Sequence, residues 1–224
     1  HGYIWAQAEE LVGQRMNLLG SNGPSVLATE NVMMAASLAK GKTIIEDAAQ
    51  EPEVSDLAKL LNAMGAKISG TGTPVIEIEG VEKLGGTEHT VIPDRIEAGT
   101  FIAAAGITLG KLRLKNINIE HIKHPMKKFS EAGVEFEIIS DTEIIASCSN
   151  IRQTEAETRP YPYFPTDLQA QLMAMLSLSD GISIIKENIF PERFTHTAEL
   201  NRLGADIKVD NNIAVIKGAS RLSG

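Results

Sequence analysis

Two kinds of apolar pattern alternate along this chain. The first is a run that is apolar on nearly every side of a helix: Val32-Met33-Met34-Ala35-Ala36-Ser37-Leu38, then Phe101-Ile102-Ala103-Ala104-Ala105-Gly106-Ile107, then Leu172-Met173-Ala174-Met175-Leu176. A helix of that composition has no wet face and must be enclosed by the rest of the fold. The second kind, as over residues 54–64, carries one apolar stripe on an otherwise polar helix. Short alternating runs such as Asp206-Ile207-Lys208-Val209 follow, with one dry face and one wet face, as expected of half-buried strands.

These elements recur in three blocks, over residues 25–81, 94–148 and 166–218. The first predicts helix 30–40, strand 42–47, helix 54–64 and strands 66–68 and 75–79. The second predicts helix 96–109, strand 112–117, helix 125–132 and strands 135–139 and 143–147. The third predicts helix 168–178, strand 183–187, helix 195–203 and strands 206–209 and 213–217. Glycines keep the register. Gly41, Gly110 and Gly181 are 69 and 71 residues apart (110−41 and 181−110), and Gly65, Gly133 and Gly204 are 68 and 71 apart (133−65 and 204−133). The second set follows the amphipathic helix, where a left-handed residue ends the helix. Small Ala and Gly in the apolar helices allow close backbone approach. The expectation is an α/β fold of repeated units with helices bundled inside and sheets facing solvent.

Leu84-Gly85-Gly86-Thr87 through Pro93 is the best candidate for a domain boundary, giving domains 1–92 and 93–224. Residues 151–160 are polar and read as a solvated connector. The chain opens on what looks like a strand over 3–8, with no start methionine, and stops abruptly at Gly224, which suggests a fragment.

At 224 residues and 43% hydrophobic content, with only 4% aromatic, the core is aliphatic. A formal charge of −8 argues against nucleic-acid or acidic-membrane partners, which need a basic surface. One cysteine, Cys148, excludes an internal disulfide and fits a reducing, cytoplasmic setting. His89, His121, His124 and His196 show no metal-ligand spacing. No Walker or dinucleotide glycine loop is present. Neither a metal nor a cofactor is therefore expected.

The chemistry-bearing stretch is Tyr161-Pro162-Tyr163-Phe164-Pro165-Thr166-Asp167-Leu168-Gln169-Ala170-Gln171. Residues before proline are pushed out of the helical region, so the approach reads as extended. Thr166 reads as an N-cap with Gln169 completing a capping box. Asp167 falls in the first turn, where free N–H groups and the helix dipole favour a carboxylate by roughly 0.3–1 kcal/mol.

Six ordered motifs carry a resemblance: Pro24-Ser25-Val26-Leu27-Ala28-Thr29-Glu30-Asn31, Glu46-Asp47-Ala48-Ala49-Gln50-Glu51-Pro52-Glu53, Leu61-Asn62-Ala63-Met64-Gly65-Ala66, Ile92-Pro93-Asp94-Arg95-Ile96-Glu97-Ala98-Gly99-Thr100, Phe164 through Gln171, and Ile189-Phe190-Pro191-Glu192-Arg193-Phe194. Together they resemble the UDP-N-acetylglucosamine enolpyruvyl transferases (1-carboxyvinyltransferases). The resemblance implies inside-out α/β barrel lobes built of βαβαββ units, with part of a first lobe over 1–92 and part of a second, catalytic lobe over 93–224. It implies transfer of the carboxyvinyl group of phosphoenolpyruvate to the 3-hydroxyl of UDP-N-acetylglucosamine, the first committed step of peptidoglycan synthesis. Asp167 matches the base that takes the hydroxyl proton. Ser25, Val26 and Leu27 match the segment holding the uridine and diphosphate, Leu27 standing where glycine is usual. Ile189 and Phe190 match the segment that contacts the sugar through backbone groups, and Arg193 is a candidate positive charge beside it. The reactive-cysteine loop, the phosphate-gripping lysine and arginines and one unit of the catalytic lobe have no counterpart, so the chain alone is expected to be inactive. The alternatives are a shikimate-phosphate enolpyruvyl transferase and a non-catalytic homologue that binds nucleotide sugar.

Overall fold

The computed structural model describes Gly2 and residues 5–224. Tyr3 and Ile4 of the expected opening strand lie outside the described residues, and residues 5–8 are not in a strand. The chain divides into two compact units, His1–Val91 and Ile92–Gly224.

The first unit runs β1 (Arg15–Asn17), β2 (Leu19–Gly20), β3 (Gly23–Pro24), α1 (Val26–Ala36), β4 (Lys42–Glu46), α2 (Pro52–Ala63), β5 (Lys67–Ser69) and β6 (Val75–Glu79). β2 and β3 form a small separate ribbon. The main sheet has the order β1-β4-β6-β5, with β1 parallel to β4 and the other pairs antiparallel. In β6, exposed and buried residues alternate, placing Ile76 and Ile78 inside with Ile45 of β4, Met33 of α1 and Val54 of α2.

The second unit contains two blocks. The first runs α3 (Arg95–Ile107), β7 (Lys111–Lys115), α4 (Ile119–Glu131), β8 (Val134–Ser140) and β9 (Glu143–Cys148). The second runs β10 (Glu155–Glu157), a 3-10 turn at Thr166–Leu168, α5 (Gln169–Leu176), β11 (Ile182–Lys186), α6 (His196–Arg202), β12 (Asp206–Asp210) and β13 (Ile213–Lys217). The sheets are β7-β9-β8 and β10-β11-β13-β12. The latter repeats the order of the first unit's main sheet, including a parallel leading strand. β7 has no such neighbour among the described residues, so its outer edge is open.

The repetition extends to single side chains. Asn62 donates to the Ile68 carbonyl (2.9 Å) and accepts from its N–H (2.8 Å), and Asn201 does the same to Ile207 (2.9 and 3.0 Å). The two clasps span Gly65 and Gly204, which end helices as Gly133 does; the three have φ of +106°, +100° and +109° in that order, a region other residues enter at a cost. The apolar helices do pack inward. Gly99 and Gly106 of α3 face Leu168 and Met175 so closely that a Cβ on either would overlap them. All of Ile102, Leu168, Leu172, Met173 and Met175 are fully buried. This is α/β architecture built from βαβαββ units with helices inside.

Several boundaries differ from expectation. α1 begins at Val26 rather than residue 30, because Ser25 caps it by accepting from the Ala28 N–H (3.3 Å). α4 begins at Ile119, six residues before Pro125, capped by Asn118; the buried stripe of Ile122, Met126 and Phe129 carries the helix through the proline. The expected connector over 151–160 contains β10, whose Ala156 is buried and whose backbone pairs with β11.

Candidate active site

The N-caps of α1 and α3, Ser25 and Asp94, and Pro165, which caps the 3-10 turn leading into α5, stand 69 and 71 residues apart (94−25 and 165−94), the same intervals as the first glycine set. Asp94 accepts from the Ile96 and Glu97 N–H groups (2.7 and 3.1 Å). Pro165 has no side-chain acceptor, and the chain enters α5 through the 3-10 turn instead. The capping box expected of Thr166 and Gln169 does not form. The Thr166 hydroxyl is drawn to a buried carboxylate, donating to Glu187 Oε2 (2.9 Å). Both amide atoms of Gln169 are buried without a hydrogen-bond partner among the described residues. Nor is the approach extended: the Tyr163 N–H donates to the Pro160 carbonyl (3.1 Å) across a cis Tyr161–Pro162 bond, and the Arg159 N–H donates to Phe164 (3.0 Å), closing a tight turn.

The turn lifts Asp167 out of the buried helix, leaving its side chain about half exposed at 49%. Arg193 Nη1 lies 2.8 Å from Asp167 Oδ1 and 3.2 Å from Thr166 Oγ1, and its guanidinium sits 5.6 Å from the centre of the Phe190 ring. Asp167 Oδ2 has no partner among the described residues. Asp167, Phe190, Pro191, Glu192 and Arg193 line an open pocket of about 680 Å³. Residues 26 apart in sequence are thus joined through β11 and the loop after it.

Beneath this rim lies a residue the sequence did not single out. Glu187 is fully buried just past β11. Its Oε1 accepts from the Thr158 hydroxyl (2.7 Å) and from the N–H groups of Ile189 and Phe190 (2.9 and 3.0 Å). A buried carboxyl group with so many donors fits the rule that buried polar groups persist only when satisfied. The available signal is a second charged residue, after Lys186, at the end of a strand whose centre is Ile184-Ile185. Because both N–H groups are committed to Glu187, and the Phe190 carbonyl accepts from the Arg193 N–H (2.8 Å), the Ile189 carbonyl is the one of these four backbone groups with no partner among the described residues.

Ser25, Val26 and Leu27 lie in the first unit, at the start of α1. The N–H groups of Val26 and Leu27 have no intrahelical partner, as at any helix start, and the Leu27 side chain is exposed. Nearby, burial and then the carboxylates of Glu53 and Glu51 push the Glu30 carboxyl above its ordinary range.

Cys148 is buried at the end of β9, and burial pushes its thiol up, away from the reactive thiolate. Burial, then the Arg193 charge, holds the His196 imidazole below its usual range. No group of three or more His, Cys, Asp or Glu among the described residues could hold a metal ion. No helix among them is long and apolar enough to cross a membrane.

Residues 2–224 match the family model described as EPSP synthase (3-phosphoshikimate 1-carboxyvinyltransferase). The chain is 48% identical over its full 224 residues to UDP-N-acetylglucosamine 1-carboxyvinyltransferase 1 of Caldanaerobacter subterraneus subsp. tengcongensis, covering 53% of that relative. It is 49% identical over the same span to the enzyme of that name from Geotalea daltonii, again covering 53%, and 51% identical over 216 residues to the one from Akkermansia muciniphila, covering 96% of this chain and 51% of the relative. The chain therefore spans about half the length of the curated relatives it matches. Among solved structures, the enolpyruvyl transferase NikO from Streptomyces tendae superposes with a TM-score of 0.81 at 24% identity, over 94% of this chain and 52% of that one. An EPSP synthase from Acinetobacter baumannii gives 0.66 at 18%, over 95% and 50%. Both share its fold.

Proposed function

The chain belongs to the EPSP synthase (3-phosphoshikimate 1-carboxyvinyltransferase) family, and we propose that it is part of an enolpyruvyl transferase acting on UDP-N-acetylglucosamine. The acceptor is chosen on the names of the relatives at 48–51% identity, all of which specify that sugar nucleotide. The sugar 3-hydroxyl adds to C2 of phosphoenolpyruvate as C3 gains a proton. Phosphate then leaves from the tetrahedral adduct and C3 gives a proton back, restoring the enol ether. In a bacterial cell this product commits the sugar nucleotide to peptidoglycan synthesis, and the setting is cytoplasmic.

The observation that carries the chemical reading is Asp167 at the pocket rim, with Oδ1 held by Arg193 and Oδ2 open. In this reading Oδ2 takes the hydroxyl proton, a contribution of about 10²–10⁴ in rate. The Ile189 carbonyl and the Phe190 ring beside it contact the sugar. Ser25 and the free N–H groups of Val26 and Leu27 receive the diphosphate, as a helix start suits an anion. The first unit then belongs to one lobe and the second to the catalytic lobe.

The test is phosphate release by the whole protein that carries this chain, with UDP-N-acetylglucosamine or shikimate 3-phosphate as acceptor. Turnover is expected only with the sugar nucleotide, and this chain alone should give none. Asp167→Asn should lower kcat about 100-fold or more while sugar-nucleotide KM changes little. Use of shikimate 3-phosphate instead would overturn the choice of acceptor, and an unchanged kcat would remove Asp167 from the chemistry.

A further inference from the structure

We propose that Glu187 is a positioning residue for proton abstraction, acting through Thr166 and Arg193 on Asp167; this rests on the reading of Asp167 as the base. The hydrogen bonds have a direction. The Thr158 hydroxyl accepts from the Asn188 N–H (2.9 Å), so its own proton goes to Glu187 Oε1 (2.7 Å). The Thr166 hydroxyl gives its proton to Glu187 Oε2 (2.9 Å), which turns its lone pairs outward to Arg193 Nη1 (3.2 Å). Arginine can only donate, so Nη1 is shared between Thr166 Oγ1 and Asp167 Oδ1 (2.8 Å). The chain therefore runs from a buried carboxylate, through one hydroxyl and one guanidinium, to a carboxylate at the pocket.

Arg193 needs this support. Its side chain is 44% exposed, and that of Asp167 is 49% exposed. An ion pair in that setting contributes less than the rotamer freedom an arginine gives up when fixed. What holds it is the pair of anchors on either side, the Thr166 hydroxyl and the Phe190 ring. Both are set by Glu187, the first through Oε2 and the second through the Phe190 N–H on Oε1 (3.0 Å). Glu187 itself is sealed, so it touches no substrate. Its effect lies in where Asp167 Oδ2 points, and small misplacements of a reacting group are costly in rate.

The test uses the whole protein with Glu187→Gln, Thr166→Val, Thr166→Ser and the double variant Glu187→Gln/Thr166→Val. The wild type is first assayed with phosphoenolpyruvate and UDP-N-acetylglucosamine; its turnover tests the proposed function separately. Glu187→Gln and Thr166→Val should each lower kcat about 10–100-fold with KM for both substrates within about threefold. Thr166→Ser keeps the hydroxyl and should recover most of kcat. The double variant should be no slower than the worse single variant, since both break one chain. Multiplying losses, or losses confined to KM, would show that Glu187 merely holds the loop and would overturn the proposal. An activity-independent arm is a crystal structure of the near-isosteric Thr166→Val protein. The expected result is that Arg193 leaves Asp167 or spreads over several rotamers. Arg193 superposing on its present position refutes the relay even if no variant, or no wild type, turns over.

Discussion

Gly99 sits in the middle of α3 directly behind the Asp167 tip, and adding one methyl there tests the packing on which the tip rests. An alanine Cβ at this position would fall 2.5 and 2.6 Å from the two methyls of Leu168 and 3.1 Å from its Cγ. Carbon atoms settle at about 3.5–4.0 Å, so the overlap is close to 1 Å. Leu168 is fully buried and cannot swing clear. Overpacking of this kind costs about 1–3 kcal/mol. Alanine returns about 0.5–1 kcal/mol over glycine in a helix interior, so the net effect of Gly99→Ala alone is blurred. A double-mutant cycle removes the ambiguity, because the helix-propensity gain is common to both backgrounds and cancels. Leu168→Ala alone should cost about 2–5 kcal/mol through the void it leaves. In that background the new methyl has room, so the two changes should couple favourably by about 1–3 kcal/mol. Native-state hydrogen exchange of peptides from α3 and α5 reads this locally, without assuming that both units unfold together. Each 1.4 kcal/mol is a tenfold change in protection. Effects that add to within about 0.5 kcal/mol would mean that Gly99 and Leu168 are not in contact.

Two further outcomes follow from titratable groups. Glu30 has its folded pKa raised, by burial first and then by Glu53 and Glu51, so the stability it contributes when protonated is complete below its unfolded value near 4.5 and is lost as pH rises through the folded value. Glu30→Gln should therefore raise the thermal midpoint of the first unit at pH 7 and give no gain at pH 4; an equal gain at both would refute the sign. His196 has its folded pKa lowered, by burial first and then by Arg193, so its contribution is present above its usual value near 6.5 and is lost as pH falls through the depressed value. Urea unfolding of the second unit should become easier between pH 7.5 and 5, and less so in His196→Gln; parallel profiles for the two proteins would count against this assignment.

What could be read from the residues alone followed the range over which each signal acts. Helix type, the glycine register and strands such as β6 and β13 depend on local pattern, and their bounds match expectation to within a few residues. The leading strands β1 and β10 are three residues each and exist because β4 and β11 offer them an edge, so no periodicity announced them. The expected helix 125–132 starts at Pro125, whereas the buried stripe from Ile122 to Phe129 carries the helix through that proline. At the site, Asp167 and Arg193 were legible as charges in motifs, but their contact was not. Thr166 has the local pattern of a cap, but its hydroxyl partner is 21 residues away. Glu187 gives no local signal of its burial, because a glutamate next to a strand end ordinarily faces water, whereas this one is buried.

The flank of β7, unpaired among the described residues, has a colloidal consequence. A row of free amide and carbonyl groups is a template for any extended segment, including the same strand of a neighbouring molecule. Along this row Lys111, Arg113 and Lys115 are all exposed and share one face, with Arg113 paired to Glu143. Two copies docking there, in either direction, would set lysine against lysine. That repulsion reaches only about 8–10 Å at moderate ionic strength and shrinks as salt is added, so pairing of this chain through that edge should become easier as electrolyte rises.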